Sequence, residues 1–147
     1  MKNSIVKNVL STPPSWAPLA LRLVAGIIFF AHGAQKLFGW FGGYGLEGTG
    51  GWMDSIGLSP GVLMAALAGG AEFFGGIALI LGVLVRPAAF GLAITMLVAI
   101  FTVHFQNGLF MSNNGYEFAL ALFAMMVALV ISGGGAASID RQLSREA

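Results

Sequence analysis

GVLMAALAGGAEFFGGIALILGVLV, residues 61–85, carries a single ionisable side chain, Glu72, in an otherwise apolar run. A helix needs about 20 consecutive apolar residues to cross the hydrocarbon of a bilayer, so this stretch predicts a membrane span. The pattern repeats on both sides of it. Upstream, Pro18 to Phe38 is a second such run, entered after the Pro13–Pro14 break. Downstream, Arg86–Pro87 interrupts the apolar sequence, and the next span is expected to begin at Pro87 and reach Gln106, because proline is tolerated at a first helical position. A polar loop, Asn107 to Gly115, precedes a final span from Tyr116 to Ser132, closed by Gly133–Gly134–Gly135 and a short charged tail. Between the first two spans, Gly39 to Pro60 holds Gly42, Gly43, Gly45, Gly48, Gly50 and Gly51. That composition allows a lid over the neighbouring spans or a flexible connector, and the connector is favoured because glycine-rich loops are flexible by default; its Trp40, Tyr44 and Trp52 suit a membrane interface.

Composition gives the same class. Of 147 residues, 57% are hydrophobic and 9% charged, against about 25% charged in soluble domains, and the mean hydropathy is +0.86. We therefore expect an all-α protein, an integral membrane four-helix bundle. It is read as one transmembrane domain over residues 1–147 with spans at 18–38, 61–85, 87–106 and 116–132. A net charge of +1 without a basic stripe gives no basis for binding nucleic acid. With no cysteine in the sequence, this chain offers no disulfide, thiol or thiolate-metal chemistry. Ala31–His32–Gly33 imitates a signal-peptide cleavage site, but the apolar run is long and a cut there would leave only three spans. Lys2, Lys7, Arg86, Arg141 and Arg145 all fall on one side of four alternating helices, which predicts that both termini are cytoplasmic.

Polar residues inside the spans narrow the function. Arg22, His32, Gln35, Lys36, Glu72, Thr95, Thr102, His104, Gln106 and Glu117 lie within or at the edge of apolar helices. A charge near the bilayer centre costs at least about 2.5 kcal/mol unless it is paired inside the bundle. At a rise of about 1.5 Å per residue, His32 lies about 21 Å and Lys36 about 27 Å from the cytoplasmic edge, Glu72 about 20 Å and His104 about 25 Å. With Glu117 opening the last span, all four helices contribute to one polar tier in the outer half. His32 and Lys36 are one turn apart, and Arg22 lies about 40° from Lys36 around the helix axis, though only about 6 Å deep. Glu72 sits between Ala68 and Gly76 on a seam of small residues, with Ala65/Gly69, Ala66/Gly70 and Ala71/Gly75 as small-xxx-small pairs that allow close helix approach.

Three chemistries fit such a tier. Two histidines with Glu72 and Glu117 form an N/O metal set, although residues scattered over four helices match no metal motif, and no metal ligands are assigned. A quinone head group has two carbonyls to accept bonds from His or Lys, with glutamates relaying protons. An ion or solute path needs more room than four helices provide, and so needs a homo-oligomer.

The polar residues also stand in a recognisable order. Leu21-Arg22-Leu23-Val24 through His32-Gly33-Ala34-Gln35-Lys36-Leu37-Phe38-Gly39 resembles the opening signature of the DoxX family. Glu72 with Gly75–Gly76, the turn ending in Arg86–Pro87, Val103-His104-Phe105-Gln106-Asn107-Gly108, Gly115-Tyr116-Glu117 and the close from Gly135 through Ser138 and Asp140 to Arg141 continue it. Gly134 stands where a proline is common. The resemblance spans about residues 18–143 and implies a four-helix protein of the bacterial inner membrane. Some members resemble membrane subunits of thiosulfate:quinone oxidoreductase; others associate with superoxide dismutase and a sulfurtransferase in an oxidative-stress complex. The extra domain of the thiosulfate-oxidising subunits and any cysteine are lacking here, so no independent activity is expected.

The reading is thus an accessory or quinone-interacting subunit of a redox or oxidative-stress system, embedded in the lipid bilayer and working with redox partner subunits. Glu72, His32 and His104 are the candidate catalytic residues, handling protons. Lys36, Arg22 and Glu117 are the candidate cofactor-binding residues, with Lys36 and Arg22 pairing the carboxylates. The rival is a non-enzymatic assembly factor or small transporter whose buried charges only lock the helices together.

Overall fold

The computed structural model describes residues 2–146, with side chains from 5 to 145, so the side chain of the expected anchor Lys2 lies outside the described residues. A short helix α1 (Lys2–Leu10) precedes α2 (Ala17–Phe38), α3 (Gly45–Ser55), α4 (Gly61–Leu81), α5 (Val85–Ala99), α6 (Glu117–Ser132) and α7 (Ile139–Glu146). Helix α5 continues without a break through a π-helical segment, Ile100–His104, and a 3₁₀ turn to Asn107. Among the described residues there is no strand. Three helices, Ala17–Phe38, Gly61–Leu81 and Val85–Asn107, are long and apolar enough to cross a membrane. The fourth, α6, has 16 residues and rises about 24 Å, close to the thickness of the hydrocarbon.

The four long helices form a ring in the order α2, α4, α5, α6. Phe29, Leu79, Leu92, Met126 and Leu129 fill its interior. Between α2 and α4 the backbones themselves touch. A Cβ added to Gly33 would overlap the backbone of Phe73, and one on Gly76 would lie 2.5 Å from the Phe30 nitrogen. Lipid gives helices no hydrophobic reason to associate, so close packing through small residues holds this pair. The small pairs of α4 divide by face. Ala65 and Gly69 lie buried toward α2, Gly75 meets Leu92 of α5, and Gly70 faces open space.

Three boundaries differ from expectation. Helix α4 stops at Leu81 rather than Val85, because Gly82 adopts a left-handed conformation (φ +71°) and its N–H donates to the Ala78 carbonyl. Helix α5 begins at Val85, two residues before Pro87, which suits any position of a first turn whose N–H groups lack helical partners. Its cap comes from the far end of the sequence. Asp140, 1% exposed, accepts the Leu84 N–H at 2.7 Å and the Val85 N–H at 2.9 Å. This carboxylate also holds Leu84 at φ +49°, a left-handed conformation that costs about 1–2 kcal/mol for a side chain other than glycine. The third difference is the glycine-rich segment. It is not a loose connector: α3 is a helix packed along α4 and against α2, and Asp54 ties its end by accepting the Ser59 hydroxyl at 2.7 Å and the Gly61 N–H at 2.8 Å.

The two terminal helices lie at one end of the bundle, where α1 meets α7. Arg86 closes the last turn of α6, donating to the Val130 carbonyl, to Ile131 O at 2.8 Å and to Ser11 O at 3.0 Å. Thr12 donates to Ser132 O and accepts the Gly135 N–H. Replacing Asp140 by alanine orphans two N–H groups of α5, so Asp140→Ala is expected to cost about 1–2 kcal/mol. Thermal unfolding in detergent reads this as a lower midpoint, and Asp140→Asn, which keeps one acceptor oxygen, falls in between.

Candidate functional site

At the opposite end the helices splay around a cavity of about 1070 Å³. Phe29, His32, Gln35 and Lys36 reach it from α2, and Leu67, Ala68 and Glu72 from α4. From α5 and its π-helical extension come Ile94, Thr95, Val98, Thr102 and His104; from α6 come Phe118, Ala119 and Leu122. Helix α3 closes the end with Tyr44, Gly48, Thr49, Trp52 and Met53.

The polar groups cluster within these apolar walls. The Lys36 ammonium donates to Glu72 Oε2 at 2.6 Å, with the carboxylate side chain 4% exposed and the lysine side chain 23%. This is the pairing expected of Lys36, and it satisfies a carboxylate that would otherwise be costly at this depth. His32, one turn before Lys36, faces the cavity and has no hydrogen bond among the described residues. His104 Nδ1 lies 2.9 Å from the Asn114 carbonyl. A carbonyl only accepts, so Nδ1 is the donor, and Nε2 of the neutral ring is left as an acceptor. The hydroxyls of Thr95 and Thr102 donate to their own helix, at Gly91 O (3.0 Å) and Val98 O (2.7 Å), and so present only lone pairs elsewhere. Gln35 donates to Phe41 O at 3.2 Å.

Two sequence-derived candidates lie elsewhere. Arg22 shares a helix face with Lys36, but 14 residues along α2 separate them by about 21 Å. It is fully buried at the terminal end, donating to Leu79 O at 3.1 Å and Ala137 O at 2.5 Å. Those carbonyls, not a carboxylate of the tier, accept from its two terminal nitrogens, while its buried Nε has no partner among the described residues, and it does not border the cavity. Glu117 accepts the Met111 N–H at 2.9 Å and folds the loop before α6, so it too is absent from the cavity wall. Consequently His32, His104, Glu72 and Glu117 do not converge, and among the described residues no three His, Asp or Glu side chains come together as a metal site.

Two parts of the site are not legible in the sequence pattern. Helix α3 is hidden by its glycines, although Thr49, Trp52 and Met53 stand at i, i+3 and i+4. The π-helical segment has no visible signal, since Ile100–Val103 is simply apolar apart from Thr102. Such a segment widens one turn of a helix, and here it is the turn that carries Thr102 and His104 to the cavity.

Comparison with known proteins agrees with this architecture. The DoxX family profile matches residues 17–105. A Bacillus subtilis protein named "Putative oxidoreductase CatD" is 35% identical, over 76% of this chain and 76% of its own. "Uncharacterized membrane protein Rv3486" of Mycobacterium tuberculosis is 30% identical over 93% of both chains. "Inner membrane protein YqjF" of Escherichia coli is 34% identical over 87% of this chain and 92% of its own. No solved structure matches. The profile covers both halves of the cavity's ion pair, Lys36 and Glu72, and extends through His104, and the chain belongs to the DoxX family of membrane proteins.

Proposed function

We propose that this protein binds the head group of a membrane-soluble quinone in the α3-covered cavity, as an accessory subunit of a redox system of the bacterial inner membrane. One observation carries the reading: hydrogen-bonding side chains line one part of an otherwise apolar cavity inside a membrane-spanning bundle. Its volume matches the about 300–1,000 Å³ of small-molecule sites. The donor set suits the two carbonyls of a quinone, since Lys36 retains N–H donors beyond the one given to Glu72, and His32 is uncommitted. A bound quinone supplies two-electron, two-proton chemistry; the electrons belong to a redox partner subunit. The chain's own residues bind and move protons. His32 and His104 Nε2 face the head group, and Glu72, held by Lys36, is the carboxylate through which a proton leaves or enters. The fixed Nδ1–H bond of His104 sets which nitrogen is free. Lys7, Arg86, Arg141 and Arg145 at the terminal end support a cytoplasmic location for both termini, with the cavity in the outer half. The name of the Bacillus subtilis relative is consistent with a redox setting.

The test is saturable binding of a benzoquinone with a ten-carbon chain to the protein in lipid nanodiscs. His32→Ala and Glu72→Gln are each expected to weaken it about tenfold, the loss of about 1.4 kcal/mol. Absence of saturable binding to the unaltered protein, or equal binding by both variants, overturns the reading.

A further inference from the structure

A second, shallower cleft of about 330 Å³ runs on the outside of the α4–α5 seam. Ala71, Gly75 and Ala78 of α4 face Pro87, Ala88 and Gly91 of α5 across it. Leu92, 1% exposed, lies beneath, and Phe74 and Leu84, 66% and 51% exposed, stand at its edges. Every residue lining it is apolar, and those facing each other across it are small. It is a trough about 10 Å long on α4.

The trough and the cavity share this seam. Ala71 of the trough is three residues from Ala68 of the cavity wall, and the carbonyl of Gly91 accepts the hydroxyl of Thr95, which lines the cavity. On this seam the cavity lining includes Leu67, Ile94 and Val98, apolar side chains 60%, 48% and 46% exposed. Helix α3 covers the cavity at the bundle end, and these exposed apolar side chains stand on the outer face of the α4–α5 seam.

We infer that the trough holds the apolar chain of the amphiphile whose head occupies the cavity, and that this ligand enters sideways from the bilayer through the α4–α5 seam. The inference rests on the reading of the cavity as a head-group site and adds the other half of the ligand: a flexible alkyl or prenyl chain. The trough ends about one helical turn from the cavity wall on both α4 and α5, and that adjacency selects this occupant over a separate phospholipid. A polar, water-borne solute would leave the trough empty, and Leu67, Ile94 and Val98 would give it no hydrogen bond.

Two glycines make the test clean. A Cβ on Gly91 meets nothing within 4 Å, and the same holds for Gly70, which borders neither the trough nor the cavity. A large side chain at either site replaces a poor helix former, so both variants keep their packing. Gly91→Phe is expected to weaken the benzoquinone with a ten-carbon chain at least tenfold and to leave the same ring without a chain unaffected. Gly70→Phe changes neither. If Gly91→Phe leaves the chain-bearing ring unaffected, or weakens both rings alike, the trough is not a chain site. A photoreactive diazirine at the chain end separates failure here from failure of the quinone reading. Adducts on the α4–α5 seam that Gly91→Phe removes support the inference whatever the affinity of the ring. Adducts only on lipid-facing residues such as Val24 and Ile131 overturn it. Seam labelling by a chain-diazirine phospholipid that excess chain-bearing quinone does not reduce overturns it as well, in favour of a resident lipid.

Discussion

Gly33→Leu is expected to be among the most destabilising single substitutions outside the polar site. The first added carbon already collides with the Phe73 backbone, and the Gly69 carbonyl lies 2.8 Å from the same point. Backbone has no rotamer with which to yield, so α2 must move away from α4. That movement opens the contact along its length, because Gly26 and Gly76 depend on the same interaxial distance. Overpacking costs about 1–3 kcal/mol where side chains can adjust, and more is expected where they cannot. The Lys36–Glu72 pair spans the same two helices, so the substitution should also loosen the cavity. Unfolding in detergent checks this directly. Gly70→Leu, pointing into open space, is the matched control and should leave the midpoint unchanged. Equal behaviour of the two would mean that the α2–α4 contact is not as close as described.

Lys36→Met is the second large effect, and it separates stability from function. Glu72 remains, 4% exposed, with its hydrogen-bonded partner gone. Removing one member of a buried pair costs about 3–5 kcal/mol, because the other charge is left uncompensated; the partial exposure of Lys36 places the expectation at the lower end. Replacing both by apolar residues of similar size is often neutral, so Lys36→Met/Glu72→Leu should recover most of the loss. If the pair serves only to lock helices, the double variant behaves like the unaltered protein in every respect. If it serves a bound head group, the double variant is stable but binds the chain-bearing benzoquinone at least tenfold more weakly. A double variant as unstable as the single one would show that the environment of Glu72 requires charge for reasons other than this pair.

The legible part of the site is the part set by helix geometry. Depth along a helix follows from counting residues, so the residue order alone sets Lys36 and Glu72 opposite one another, with His32 and His104 near them. The same counting shows why Arg22 does not belong with them: agreement around the axis is not agreement along it. Its partners, the carbonyls of Leu79 and Ala137, are backbone groups, and backbone groups leave no trace in a sequence pattern.

By itself, the sequence determined that this chain is helical, that it is a membrane protein, and where along its helix each ionisable residue sits. Those properties depend on solvent and on a fixed rise per residue, and both act locally. Tertiary structure decided the rest. Glycines that disfavour an isolated helix permit α3 to lie close along α4 and cover the cavity, because packing can outweigh propensity. The start of α5 was set by Asp140, 55 residues further along the chain, whose carboxylate satisfies N–H groups that no local residue reaches. The cavity itself, and the trough beside it on the α4–α5 seam, are what remains where helices diverge, and the course of each helix depends on the partners it packs against.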